Sequence, residues 1–468
     1  MDREIIAKNN LGSSVSPYLR QHSDNPIHWQ EWSSELLDYA KKSKKKIFIS
    51  IGYSTCHWCH VMASEAFSDK EISDYLNKNF ISIKIDREQR PDIDQFFMTF
   101  MTATTGRGGW PLNVFLTHNA EPIVAFTYLP VESKRGLPSF MDMLIAVYER
   151  GEALSYQIDE RPAEYDKKTL HSIIDSLISM YDYPHGGFGK GAKFPPSCAL
   201  LLLISYYERY RAGELKDIIE STLDSMMSRG LCDHLQGGFF RYCVDREWTI
   251  PHFEKMLYDQ AMLLWVYSWA LKVFDKPEYK NTVAGIIESL DETFFYNGLY
   301  ISAHDADTNH KEGETYLWGV EELKERLNSA ELEYLLDNYF ITDEGNFEGK
   351  NHLIRIRGFT KGPVEKKLLD IRNKRKQPFA DRKIITSWNA LTGIALIMAW
   401  RATGDRSILD KAEALMDKLI ELHFNDGKLS HSSFEGVQQK EEFLEDSASL
   451  LLFATYLHEE NRNREKII

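Results

Sequence analysis

Lys46 to Met62 reads KIFISIGYSTCHWCHVM, and this stretch decides the fold. Its first six residues form a nearly continuous apolar run, as a buried parallel strand requires. From Cys56 onward the pattern turns helical. Two cysteines three apart at that junction make a dithiol at a helix N-terminus, where free N–H groups and aligned peptide dipoles favour an anion. Cys56 is therefore expected to ionise more readily than a free thiol. Cys59, almost one turn on, can reach it to close a disulfide. His57 and His60 supply positive charge near the thiolates, and Trp58 stands between the two cysteines.

Working outward, Pro26 to Lys42 has Trp29, Trp32, Leu36, Leu37 and Ala40 at helical spacing and predicts an amphipathic helix. Ser68 and Asp69 can cap a second helix running to Asn79. Phe80 to Asp86 (FISIKID) alternates and predicts a strand, and Pro91 suits the first turn of a helix running to about Thr104. Gly106 to Trp110 breaks that helix. Leu112–Thr117 and Ile123–Tyr128 then predict a hairpin, and Pro138 to about Glu152 a closing helix. The order βα, βα, ββα is that of a thioredoxin-like layer with helices on both faces. In such folds a cis-proline loop lies opposite the dithiol, and Gly108-Gly109-Trp110-Pro111 holds that place. Only an X–Pro bond adopts cis cheaply, at about 0.5–1 kcal/mol, so Trp110–Pro111 is expected to be cis and close to Cys56.

Other readings of Cys56-His57-Trp58-Cys59-His60 compete. C-x-x-C-H is also the c-type haem attachment pattern, but that chemistry needs export, and the cysteines sit directly against a strand end. Zinc is a second alternative, yet neighbouring residues on a helix point about 100° apart, so two Cys and two His within five residues cannot converge on one tetrahedron. Two inert cysteines are the third. The redox reading is preferred, with no metal and no cofactor expected.

The chain has 468 residues, too many for one compact core, and a formal charge of −14. That charge argues against nucleic acid or an anionic membrane as a partner. The basic run Lys41–Lys46 reads as the solvated end of a helix leading into a strand. No apolar run approaches the roughly 18–20 residues of a membrane span, and the N-terminus lacks a signal-peptide layout. The expected location is the cytoplasm, where thiols stay reduced. Cysteines 56, 59, 198, 232 and 243 are too sparse for a disulfide framework.

The expected boundary divides residues 1–160 from 161–468. From Lys167 the period changes to 3.6, with helices expected near 168–181, 198–212, 214–230, 258–275, 278–295, 319–338, 385–403, 407–423 and 443–459. Between them a turn glycine followed by an apolar residue recurs, as in His185-Gly-Gly-Phe-Gly189, Gln236-Gly-Gly-Phe-Phe240 and Asn297-Gly-Leu-Tyr300. Such a repeat signals helical hairpins arranged as an all-α (α/α) toroid whose loops line one mouth. Those loops carry polar and aromatic side chains suited to a carbohydrate pocket. Candidate residues are Asp245, His252, Glu254, Asp259, Asp305, Asp307, Trp388 and Asn389, with His252 and Glu254 as a proton-transfer pair. Structural hydrogen bonding of these loops is the competing role.

Asn25-Pro-Ile-His-Trp29, CHWCHVM, Lys84-Ile-Asp86-Arg-Glu88-Gln-Arg90-Pro91-Asp92, Gly108-Gly-Trp-Pro-Leu-Asn113, Pro251-His-Phe-Glu-Lys-Met256 and Thr386-Ser-Trp-Asn389 together resemble one family. It is the thioredoxin-like/α-α toroid fusion family of the spermatogenesis-associated thioredoxin-like protein. The resemblance covers essentially the whole chain. It implies a thioredoxin-like first domain and a second domain similar to six-hairpin glycosidases and N-acylglucosamine 2-epimerases. Fold does not settle reaction. The chain departs from the family at Glu445-Asp446-Ser447-Ala448, where Asp-Asp-Tyr-Ala is usual, and at His304. Nine or ten helices against twelve in a full ring lead to the expectation of an incomplete toroid.

Two functions follow as expectations. In the first, Cys56 attacks a protein or small-molecule disulfide, Cys59 resolves the mixed disulfide, and Pro111 shapes the groove. In the second, the toroid is a sugar isomerase, epimerase or glycosidase and the thioredoxin-like part is regulatory.

Overall fold

The computed structural model describes residues 5–134, 136–154, 166–358 and 361–461. The chain divides into two compact units, Met1–Arg161 and Pro162–Ile468.

The first unit is thioredoxin-like. Its longer helices are α1 (Ser34–Ser43), α2 (His57–Ser64), α3 (Lys70–Asn79), α4 (Pro91–Thr105) and α5 (Phe140–Arg150). Strands β1 (Lys46–Gly52), β2 (Phe80–Asp86), β3 (Leu112–Leu116) and β4 (Pro122–Phe126) form one sheet in the order β2-β1-β3-β4. β1 runs parallel to β2 with Ser50 opposite Lys84 and Gly52 opposite Asp86. β1 runs antiparallel to β3 with Ile51 opposite Leu112. One sheet face buries Ile47, Ile49, Ile51, Ile81, Ile83 and Ile85 against Leu36 and Ala40 of α1 and Phe97 and Phe100 of α4. The other carries Phe48, Ser50 and Gly52, and packs Phe48 against Trp29, Phe67 and Phe140. Both faces are covered, so every residue of β2 is buried, its polar ones included.

The expected helix over Pro26–Lys42 forms only from Ser34. Ser33 caps it by accepting a hydrogen bond from Leu36 N. Upstream, Gln30 instead lies alongside Ile83 in a parallel bridge, exchanging backbone bonds with Ser82 and Lys84. Trp29 is fully buried by that pairing rather than by a helix face.

The second unit contains α6 (Lys167–Met180), α7 (Ser197–Tyr210), α8 (Gly213–Ser228), α9 (Leu257–Phe274), α10 (Pro277–Ser289), α11 (Val320–Arg326), α12 (Ser329–Asn338), α13 (Pro363–Arg372), α14 (Thr386–Thr403), α15 (Arg406–His423) and α16 (Leu444–Asn461). Helices pair as α7/α8, α9/α10 and α14/α15, while α9 packs on both α7 and α14, and α14 on α16. This is the all-α toroid-type arrangement of inner and outer helices. Inner α9 and α14 are apolar nearly all round because they are flanked on both sides, whereas α8 and α15 bury one stripe. The repeated glycine turns are held by a repeated clamp. The Gln260 side-chain amide bonds both Phe239 N and O, and that of Asn389 bonds both Tyr300 N and O.

Two helix expectations change. The helix over 319–338 is interrupted where Asn328 starts a new one with a reciprocal capping box to Glu331. Helix α13 was not expected at all, although Pro363 at its first turn and Glu365 bonding Gly362 N are ordinary start signals.

Candidate functional site

Cys56 is the N-cap of α2 and its sulfur accepts from Cys59 N at 3.2 Å. The two cysteines are joined as a disulfide with Cα atoms 5.2 Å apart, and both are almost fully buried. The strand-to-helix turn places them there. Cys56 N bonds Tyr53 O, and Gly52 ends β1 where only a glycine fits. A Cβ on Gly52 would stand 2.3 Å from the Tyr18 hydroxyl and 2.7 Å from Cys59 Sγ. Trp58 stays 47% exposed and packs its ring 5.2 Å from Tyr128, on the outer side of the pair. The Tyr128 hydroxyl bonds Glu65, and burial together with that carboxylate pushes it up to about 12. His57 packs edge-on to Trp58, and His60 is half-buried one turn into α2.

The Trp110–Pro111 bond is cis. The β1/β3 register continues from Ile51–Leu112 toward Gly52 and Pro111, which brings the proline loop to the dithiol end of the sheet. The Trp110 ring lies 5.9 Å from Tyr53, edge to face, and its indole donates to Asp94 Oδ1 at 2.8 Å. Arg87 stacks 4.0 Å over the same indole and pairs with Asp94 at 3.8 Å. Asn113, just beyond, donates to Met62 Sδ on α2 and to Thr127 O, tying the proline strand to the cysteine helix.

Beneath the dithiol lies a buried lysine. Lys84 is 1% exposed and its ammonium nitrogen donates to Ser50 Oγ at 2.9 Å. Three aromatic faces enclose it, Phe67 at 4.5 Å, Trp29 at 5.1 Å and Tyr18 at 5.2 Å. It makes no ion pair among the described residues, and burial holds it well below the usual lysine range. His22 stacks edge-on against Tyr18 and is lowered by burial first and by Lys84 second.

In the second unit, a three-stranded ribbon of Ala380–Asp381, Ala303–His304 and Lys255–Met256 gathers three loops that precede or follow the inner helices. His252 Nδ1 meets Glu312 at 2.5 Å, and its Nε2 lies 3.7 Å from Glu254, which pairs with Arg241 at 2.9 Å. Glu312 was absent from the sequence candidates. It is placed by a hairpin that sets it opposite Asp307. Asp305 is buried and accepts from Asp307 N. Tyr258 and Trp388, near the starts of α9 and α14, meet edge to face at 4.8 Å, and Asp259 follows Tyr258 in the first turn of α9.

Asp245 and Asn389 both bond loop backbone. Asp245 accepts from the backbone N–H of Glu247, Thr249 and Ile250. Asn389 uses its amide on Tyr300 and Ile385.

Residues 8–169 match the Thioredox_DsbH family, described as "Protein of unknown function, DUF255". An uncharacterised protein of Caenorhabditis elegans is 34% identical, with 95% of this chain and 70% of that protein aligned. Human spermatogenesis-associated protein 20 is 33% identical over 85% of this chain, which spans 58% of the human protein's length. Among solved structures, a GH76 α-mannanase of Bacteroides thetaiotaomicron aligns over 59% of this chain and 55% of its own at 10% identity and TM-score 0.35. A sugar epimerase from a ruminal bacterium aligns over 63% and 80% at 13% identity and TM-score 0.31. A DsbH oxidoreductase aligns over 26% and 83% at 17% identity and TM-score 0.21.

Proposed function

The chain belongs to the thioredoxin-like DUF255 family of spermatogenesis-associated protein 20, and on that premise we propose that its first unit exchanges thiols and disulfides with a protein or small-molecule substrate. The observation that carries this reading is the Cys56–Cys59 pair at the N-terminus of α2, on the sheet end that the cis-proline loop also reaches. Cys56, at the N-cap, is the attacking thiolate. The α2 N–H groups stabilise its negative charge. Cys59, deeper in the fold, resolves the mixed disulfide, and exposed Trp58 offers the substrate an aromatic surface. The reading takes the cytoplasm as the site of action. Cys56→Ser is expected to abolish dithiol-driven reduction of a disulfide substrate by the full chain. Turnover equal to the unsubstituted protein rejects the assignment.

A second reading is favoured by one observation in the second unit, the His252–Glu312–Glu254–Arg241 cluster. A buried histidine between two carboxylates can move a proton on a bound sugar. Heat on titration with N-acyl sugars, lost in His252→Ala, supports it; no heat with any of them rejects it.

A further inference from the structure

The pocket behind Cys59 holds a buried amine, Lys84, which makes no ion pair among the described residues. Resolution of a mixed disulfide needs the Cys59 thiol to lose its proton inside the fold, out of reach of bulk water, since Cys59 is 1% exposed. Something in that pocket must take the proton. Tyr18 Oη and Cys59 Sγ flank one point, the place where a Gly52 Cβ would be. The Tyr18 ring in turn is one of the three aromatic faces around Lys84 Nζ. Ser50 and Gly52 share one face of β1, and Lys84 and Asp86 lie opposite them on β2. Among the described residues, the titratable groups on the elements around this pocket include Tyr18 and His22 from the N-terminal segment, Cys59 and His60 from α2, Lys84 and Asp86 from β2, and the buried Glu88 just after it. Asp86 already accepts from Ser16 Oγ at 2.6 Å and from Glu88 N at 2.9 Å. Among the described residues Lys84 donates only to the Ser50 hydroxyl.

We propose that Lys84 is the proton acceptor for the resolving thiol Cys59, across the pocket that the Tyr18 side chain lines. The proposal rests on the thiol–disulfide reading above and deepens it. The step balances without any further reactant. Cys59–SH gives its proton to the neutral Lys84 amine, leaving Cys59 as thiolate and Lys84 as ammonium. The thiolate attacks Cys56 Sγ, the Cys56–Cys59 bond forms, and the Cys56–substrate S–S bond breaks. Its electron pair leaves on the substrate sulfur. The dithiol is oxidised by two electrons and the substrate disulfide is reduced. The new ammonium is held by Ser50 Oγ and by the three ring faces, which attract a cation and not the neutral amine. The deprotonated base is supplied by burial, which disfavours the charged form of an unpaired lysine.

The test is a single-turnover measurement on the full chain. The reduced protein is mixed with 5,5′-dithiobis(2-nitrobenzoate), and the two releases of thionitrobenzoate are followed, the first from attack by Cys56 and the second from resolution by Cys59. Lys84→Met keeps the stem and removes the amine. Lys84→Arg keeps a charge that cannot accept a proton, because a guanidinium does not deprotonate in proteins. Both are expected to slow the second release by about a hundredfold near neutral pH, a typical share for a positioned base. The first release is expected to keep its rate, which also shows that the variants are folded. Asp86→Asn is expected to leave the second release within about twofold of the unsubstituted rate, well short of a base's share. A second release at the unsubstituted rate in Lys84→Met overturns the proposal, and so does a slow one in Asp86→Asn with a normal one in Lys84→Arg. Absence of both releases in the unsubstituted protein rejects instead the thiol–disulfide reading itself.

Discussion

The two units bury cations by opposite means. In the second unit each deeply buried cation has a carboxylate. Lys193 pairs with Asp182 at 2.9 Å, Lys383 with Asp381 at 3.1 Å, and Arg355 with Glu365 at 3.1 Å. Lys255 and Arg372 share Asp233, at 2.7 and 2.8 Å. In the first unit Lys84 is as deeply buried, yet among the described residues it makes no ion pair and is surrounded by rings and one hydroxyl. The difference separates scaffolding from a group whose charge can change. A carboxylate locks a buried cation in its charged form and ties two chain segments together. A cation in an aromatic box keeps both protonation states within reach, because neither is held by a full opposite charge.

The largest effect is expected where a pair is broken. Asp233→Ala strands two buried cations, Lys255 on the loop before α9 and Arg372 at the end of α13. Removing one member of a buried pair costs about 3–5 kcal/mol, which is a large part of the stability of most domains. A urea midpoint for the second unit close to that of the unsubstituted protein breaks the comparison, since the pairs are then not what holds these loops. The linkage has a definite sign. Burial raises the Asp233 carboxyl, but Arg372 and Lys255 overcome it and hold it well below the usual carboxylate range. Its contribution is thus complete above about pH 4, the unfolded value, and is lost as the pH falls toward the folded one.

Next comes Gly52→Ala, which probes the first unit by volume instead of charge. The added methyl falls against Cys59 Sγ and the Tyr18 hydroxyl. Overpacking of a filled site costs about 1–3 kcal/mol. Loss of hydrogen-exchange protection in β1 and β2, together with slower closure of the Cys56–Cys59 disulfide, is the expected result. An unchanged closure rate means that the cysteine helix is not seated by this contact.

Much of this was legible in the sequence, and the misses have physical causes. The alternation over Phe80–Asp86 spans all of β2, and Gly108-Gly109-Trp110-Pro111 marks the proline loop. Those signals are local, since strand alternation and a proline carry their own geometry. Lys84 was missed because alternation in FISIKID assigns Phe80, Ser82, Lys84 and Asp86 to one face without saying what covers it. Burial of Lys84 on that face comes from Tyr18, Trp29 and Phe67, all outside the strand. Trp29 misled for a related reason. Its spacing from Trp32 and Leu36 matches a helix, but a parallel bridge from Gln30 to Ile83 keeps that segment extended. Among the toroid candidates, His252 and Glu254 do come together, while Glu312, their third partner, is brought in only by a hairpin pairing.

The smallest expected effect is the most diagnostic. Lys84→Met should leave first-unit stability near pH 7 nearly unchanged, or raise it, because an apolar isostere in an apolar box loses one hydrogen bond and no ion pair. The contrast with Asp233→Ala then lies in how the difference between variant and unsubstituted protein changes with pH. Burial lowers Lys84, so between its folded value and the unfolded 10.5 the unfolded chain binds a proton that the folded chain does not. Stability of the unsubstituted protein relative to Lys84→Met must therefore rise with pH across that window, by up to about 1.4 kcal/mol per pH unit, and level off above it. Hydrogen exchange in β1 and β2 at a series of pH values, corrected for the intrinsic exchange rate, reads this directly. A difference independent of pH means that Lys84 stays charged inside the fold, as its paired counterparts in the second unit do. In that case it cannot accept the Cys59 proton, and the distinction between the two kinds of buried cation disappears.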